Sequence, residues 1–158
     1  MKQLLKLLEK DAHISAEDLA LMCEKEVGDI KKMIDDYEKN GVILGYTTVI
    51  DWDKTDHEYV NALIELKVIP QLDRGYDAIA EKIYNYPEVE SLYLMSGGFD
   101  LAVMLRGKTM REVAIFVASK LATLEAVTST ATHFVLRKYK DHGVIFGSVD
   151  LDERGNCI

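Results

Sequence analysis

Between residues 59 and 140 the apolar spacing switches repeatedly between two periods, and this succession constrains the fold more than any other feature of the chain. In residues 60–69, Ala62, Ile64, Leu66 and Val68 alternate on one face, as a strand requires, and Pro70 ends the run. Tyr76, Ile79, Ala80 and Ile83 follow at helical spacing, with Pro87 just beyond. Residues 89–95 and 100–105 read as two strands. Met110, Val113, Ala114, Val117, Ala118 and Leu121 form a second helical stripe. Residues 128–139 return to strand spacing, with Thr130, Thr132, Phe134 and Leu136 on one face. The order is βαββαβ, the ferredoxin-like arrangement, and the fold class is α+β.

That order has a consequence. Right-handed crossovers place both helices on one face of the sheet and leave the other bare. Yet Leu101, Val103 and Leu105 alternate with Ala102 and Met104, so the strands are apolar on both faces. A soluble monomer rarely exposes such a patch, and the pattern predicts two sheets packed face to face in a homodimer.

The turn between the middle strands is Ser96-Gly97-Gly98, followed by Phe99-Asp100. Glycine tolerates positive φ and lets a ligand approach the main chain. On one reading the glycines only make the turn and Asp100 caps it. On the other, a small ligand approaches the open main chain of the turn, beside the Asp100 carboxylate.

Residues 1–44 read as three short helices. Leu4, Leu5 and Leu8 share a face of the first. Ser15 is an N-cap with acidic residues behind it, ahead of Leu19, Ala20, Met22 and Cys23. Ile30, Met33, Ile34 and Tyr37 mark the third, which Asn40-Gly41 ends. Three such helices fit a helix-turn-helix unit. Residues 45–58 form a linker and hinge, with residues 42–51 expected as a connecting strand. Residues 59–140 form the second domain. The tail, 141–158, is expected to be mobile apart from a short strand or docking segment at Val144, Ile145 and Phe146.

The chain has 158 residues and a formal net charge of -8, which argues against a broad phosphate-binding surface. Cys23 and Cys157 lack metal or disulfide spacing and suit a reducing cytoplasm. No run is long enough to span a membrane, so no membrane partner is expected. His13, His57, His133 and His142 show no ligand spacing, so neither metal nor cofactor is expected. Arg106 and Arg137 read as rim charges at strand ends, and Tyr84, Tyr86 and Tyr93 as core or interface residues. No nucleophile–base pair, paired-carboxylate motif or phosphate loop appears, and no enzyme is expected.

Four segments, in order and spacing, carry a family resemblance: LLKLLEKDAHISAEDLA, EKNGVILGYTTVID, SGGFDLAVML and TSTATHFVLRKYK. They resemble the Lrp/AsnC (leucine-responsive and asparagine-responsive, or feast/famine) transcription regulators of bacteria and archaea, over about residues 4–140. The resemblance implies that the helix-turn-helix unit binds double-stranded DNA. It implies that the βαββαβ domain dimerises through its sheets and binds a small effector, commonly an amino acid. Dimers would assemble further, to octamers for example, with the effector pocket where dimers meet. The family's loop motif of Gly, Asp or Asn, an aromatic and Asp maps onto Gly97, Gly98, Phe99 and Asp100, with glycine in place of the second side chain. Thr128, Ser129 and Thr130 correspond to a second pocket wall.

The DNA-reading helix would span 27–40, with Lys25, Lys31 and Lys32 placed against DNA. Residues 24–40 nevertheless carry four lysines against six acids, and Glu24 stands where the family usually has a glycine between helices two and three. An alternative is therefore kept: a ligand-sensing or interaction module with weak or lost DNA binding.

Overall fold

The protein was analysed as a computed structural model, which describes residues 2–57, 59–70 and 74–147. The chain divides into two compact units, Met1–Val49 and Ile50–Ile158. The division falls inside the segment expected to be a hinge.

In the first unit, α1 (Lys2–Lys10), α2 (Ala16–Cys23) and α3 (Val27–Lys39) close around Leu4, Leu8, Leu19, Ala20, Ile30 and Tyr37. Leu5, Cys23, Met33 and Ile34 are partly buried against this core, whereas Met22 is exposed. Ser15 caps α2: its hydroxyl oxygen accepts from the Asp18 backbone N–H at 3.1 Å.

Helices α2 and α3 end in the same way. The N–H of Glu24 donates to Leu21 and that of Lys25 to Ala20; the N–H of Gly41 donates to Glu38 and that of Val42 to Tyr37. Both are Schellman motifs, which need a left-handed residue just past the helix. Gly41 takes that role at φ 67, and Glu24 takes it at φ 52.

Residues 42–50 carry no strand, contrary to expectation. Their β-rich composition is not enough, because a strand needs a hydrogen-bonding neighbour. Val42, Leu44 and Tyr46 are left exposed. The Tyr46 hydroxyl donates to Glu38 at 2.8 Å, and this bond to a carboxylate raises the tyrosine pKa above its ordinary value.

The second unit follows a 3-10 turn at Trp52–Lys54 and has the order β1 (Val60–Val68), α4 (Asp77–Tyr84), β2 (Val89–Leu94), β3 (Leu101–Gly107), α5 (Met110–Phe116) and β4 (Val127–Phe134). The sheet order is β2-β3-β1-β4, with every neighbouring pair antiparallel. Ala62, Ile64, Leu66, Leu101, Val103 and Leu105 join Ile79 and Ile83 of α4 and Val113 and Phe116 of α5 in a single core. Both helices therefore cover the same face.

The register assigns the other face. One row across it is Ser91, Met104, Leu63 and His133; the next is Tyr93, Ala102, Glu65 and Ala131. No helix of the second unit among the described residues packs on this face. It is less apolar than the alternation in β3 alone suggested, because Glu65 and His133 form a pair at 3.3 Å within it.

Two expectations need correction. Helix α5 passes at residue 117 into a π-turn (Val117–Leu121), where Ala122 donates to Val117 at 2.8 Å. The buried stripe is Val113, Phe116, Val117 and Leu121, and Met110, Ala114 and Ala118 are exposed. Strand β4 stops at Phe134, short of residue 139: the ladder with β1 ends at the Ala62–Phe134 pair, with one further bond from the Val135 N–H to Asn61 at 2.8 Å. Beyond it Leu136 is exposed, and the chain turns into a small hairpin of β5 (Lys140–Asp141) and β6 (Val144–Ile145). Of the expected tail, residues 148–158 lie outside those described. No helix among the described residues is long and apolar enough to cross a membrane.

Candidate functional site

The glycine turn and the start of β4, which lie about thirty residues apart in sequence, meet at the C-terminal end of β1. There the β1–β4 register shifts between Lys67 and Val68. A bulge leaves main-chain groups outside the regular ladder, and side chains can take them up. The Asp100 carboxylate accepts from the Val68 N–H at 2.8 Å, and the Thr128 hydroxyl donates to the Lys67 carbonyl at 3.0 Å. One side chain from each expected pocket wall thus holds the same bulge.

Asp100 is fixed from three directions. Its N–H donates to Leu66 at 2.9 Å, its carbonyl accepts from Met95 at 2.8 Å, and the Tyr76 hydroxyl lies 3.4 Å from the second carboxylate oxygen. It is half-buried, as are Phe99 and Thr130. Thr128 and Ser129 are exposed, with Ser129 opposite Lys67 and Thr130 opposite Leu66.

Gly97 has φ 155, a conformation that side chains rarely adopt, and a Cβ at Gly97 or Gly98 would meet nothing within 4 Å. The two glycines are exposed, so the main chain of the loop is open to an approaching group. The capping reading of Asp100 therefore has a physical basis. It does not exhaust the carboxylate, which has about four lone-pair directions. Sequence reasoning missed Tyr76 and the bulge. Tyr76 looked like one more member of an apolar stripe, and no residue type announces a register shift.

One cleft of about 620 Å³ lies between α5 and the far end of β3, and another of about 290 Å³ runs along α4 and β2 and is lined in part by Tyr76, the neighbour of Asp100. Among the described residues no group of three or more His, Cys, Asp and Glu is placed to hold a metal.

In the first unit, Lys25 lies in the turn after α2, while Lys31 and Lys32 are exposed on α3. Lys31 Nζ is 3.9 Å from Glu17, a weak surface pair. Lys39 is paired with Asp35, whose hydrogen bond raises the lysine pKa. Lys25 and Lys32 make no ion pair among the described residues.

A four-stranded antiparallel sheet with both helices on one face, preceded by a separate three-helix unit, is the architecture of a two-part regulator with a ligand-binding domain. The family model of the Lrp/AsnC ligand-binding domain matches residues 61–145. The HTH-type transcriptional regulator YugG of Bacillus subtilis is 46% identical over 96% of this chain and 92% of its own length. The regulator FL11 of Pyrococcus furiosus is 26% identical, covering 89% of each chain. The chain belongs to the Lrp/AsnC family and is a transcriptional regulator with a ligand-binding domain. Its fold is shared with Escherichia coli AsnC (TM-score 0.65, 18% identity, 85% of this chain and 89% of that one). It is also shared with a Neisseria meningitidis transcriptional regulator solved as a complex with L-Met (TM-score 0.70, 18% identity, 87% and 88%).

Proposed function

We propose that this regulator binds double-stranded DNA through α3 and its flanking turn, and senses a small molecule, an amino acid, at the hairpin tip. The observation that carries the sensing half is the bulge at Lys67 and Val68, where Asp100 and Thr128 converge below an open glycine loop. The ammonium of an amino acid would take the free lone pairs of Asp100, and its carboxylate the N–H groups of the loop. The L-Met complex of the Neisseria protein supports this ligand class. Glycine at position 98 leaves room and removes one side-chain contact, so the amino acid preference would follow steric fit more than polar contact.

Because the glycine loop is exposed and open, the site would be completed by another copy. We place the homodimer at the open sheet face, where Leu63, Ala102, Met104 and Ala131 adjoin. Dimers would then assemble into a higher even oligomer, such as an octamer, bringing loops together. Several weak DNA heads on one assembly offset the poor charge balance of each.

The test is a mobility shift on DNA upstream of the protein's own gene, across a salt series. Affinity that falls steeply with salt, and is lost in Lys31→Glu or Lys32→Glu, supports the reading. An amino acid panel is then titrated against the complex with wild type, Asp100→Ala and Tyr76→Phe. Tyr76→Phe removes the distant hydroxyl and keeps the carboxylate, so it should bind ligand while Asp100→Ala does not. The surplus of acids on residues 24–40 favours one second reading, a sensing module with weak or lost DNA binding. Absence of any shift at low salt would decide for it.

A further inference from the structure

The lysines of the three-helix unit divide into those committed to the fold and those left over. On α3, Lys39 is paired with Asp35, and Lys31 lies 3.9 Å from Glu17. Lys32, and Lys25 in the turn before the helix, have no ion-pair partner among the described residues. Neither do the three lysines of α1, Lys2, Lys6 and Lys10, all of them exposed.

Their spacing puts those three on one side of the helix. Residues four apart differ by about 40° around an α-helix and rise about 6 Å, so the stripe is narrow and about 12 Å long. Leu4 and Leu8, the buried residues of α1, lie on the opposite side. The core therefore sets no requirement for lysine at these positions. Glu9 is the one acid on α1, whereas residues 11–39 carry nine acids against four lysines. The positive charge of the unit is concentrated on its first helix, and the negative charge on the two that follow.

The stripe is also tied to the turn that leads into α3. The Gln3 side chain donates to the Met22 carbonyl at 2.7 Å, which fastens the first turn of α1 beside the C-terminal end of α2. Lys2 and Lys25 thus belong to the same end of the unit. In a helix-turn-helix the N-terminal residues of the recognition helix meet the base edges, so this end is the one nearest the duplex.

From this arrangement we infer that α1 supplies the sequence-independent grip on DNA: Lys2, Lys6 and Lys10 neutralise phosphates of one strand beside the groove that α3 enters. The inference rests on the DNA-binding reading above and adds a surface to it. The length fits, since the phosphates of one strand follow at about 3.4 Å along the duplex axis. Phosphate contacts hold a protein to any duplex, and base contacts choose among duplexes. A helix region with more acids than lysines can then select sequence, because the attraction comes from α1.

The full chain is titrated with two labelled duplexes of equal length, the DNA upstream of its own gene and a shuffled sequence, each across a salt series. Four proteins are compared: wild type, Lys2→Ala/Lys6→Ala/Lys10→Ala, Lys2→Arg/Lys6→Arg/Lys10→Arg, and Lys82→Ala/Lys108→Ala/Lys120→Ala. The last carries the same net charge as the α1 alanine variant, changed at exposed lysines of the ligand-binding unit. Alanine is the strongest helix former, so α1 should persist, and circular dichroism checks it. The α1 alanine variant should lose about tenfold or more in affinity for both duplexes, with the ratio between them unchanged. Its slope of log affinity against log salt should become shallower by about two to three. The arginine variant and the control variant should keep the wild-type slope. The inference is overturned if the α1 alanine variant keeps that slope as well, or if the control variant loses as much. A wild type that shifts neither duplex at low salt is a separate failure: it removes the DNA reading itself, and this surface with it.

Discussion

Glu24 and Gly41 occupy the same position in two identical helix endings, and only one of them suits it. A side chain in the left-handed region clashes with its own backbone, at a cost of roughly 1–2 kcal/mol, partly offset because glycine is freer when unfolded. Glu24→Gly should therefore stabilise the helical unit by about 1 kcal/mol net, read as a higher urea midpoint at unchanged slope. No gain would mean that the strain at φ 52 is relieved by some compensating contact. Asp141 supports a pH prediction. The hydrogen bond from Lys138, at 2.8 Å, holds its carboxyl below the ordinary value of 3.8, more than burial raises it. A folded pKa below the unfolded one makes the contribution present above about pH 3.8 and lost as pH falls through the lower folded value. Carboxyl chemical shifts should show Asp141 titrating later than free aspartate on acidification, and Lys138→Met should move its midpoint upward, His142 still contributing to the lowering. Single residues were readable from sequence where chemistry and geometry coincide, as at Ser15 and Gly41. Asp100 was readable only in part, because its partner at Val68 is 32 positions away and is a bare N–H.

At the level of elements, periodicity located α1 to α5 and the four main strands but erred where an element depends on what lies beside it. The stripe assigned to the second long helix assumed one regular α-helix throughout. Phe116 faces the core where the stripe had Ala114 and Ala118, and a π-turn interrupts the helix at Val117–Leu121. Residues 42–50 have strand composition and no partner, and the β4 ladder ends at Phe134 although the apolar alternation runs on to Leu136. Neither fact is written in the local residue pattern. The junction of β3 and α5 depends on one close contact. A Cβ at Gly107 would lie 2.9 Å from Val113 Cγ2, in a stiff, buried, β-branched side chain. Gly107→Ala should cost about 1–3 kcal/mol of stability, the usual range for overpacking. Denaturant unfolding followed at the sheet would measure it, and an unchanged midpoint would show that α5 yields without penalty.

For the whole molecule, the arrangement of helices on one side of the sheet matters more than any single contact. It leaves Met104 and Leu63 in the centre of an open face, beside a charged pair that a second copy would have to accommodate. Met104→Glu should convert the proposed dimer to a monomer in sedimentation velocity at micromolar concentration, with the circular dichroism spectrum preserved because Met104 lies outside the helix-covered core. A variant that still sediments as a dimer would place the contact on another surface. The overall architecture was legible because the alternation of periods admits few topologies. Assembly and the ligand loop were less so, since both rest on surfaces that come together only after folding.

The two units also have separate cores, with no residue in common. The helical core is the smaller, and a small core opens more readily than a large one. In deuterated solvent the backbone amides should therefore divide into two populations. Those of α1, α2 and α3 would exchange through openings that leave the β1–β3 and β1–β4 ladders protected. The three-helix unit would then melt and re-form many times during the lifetime of a single folded ligand-binding domain.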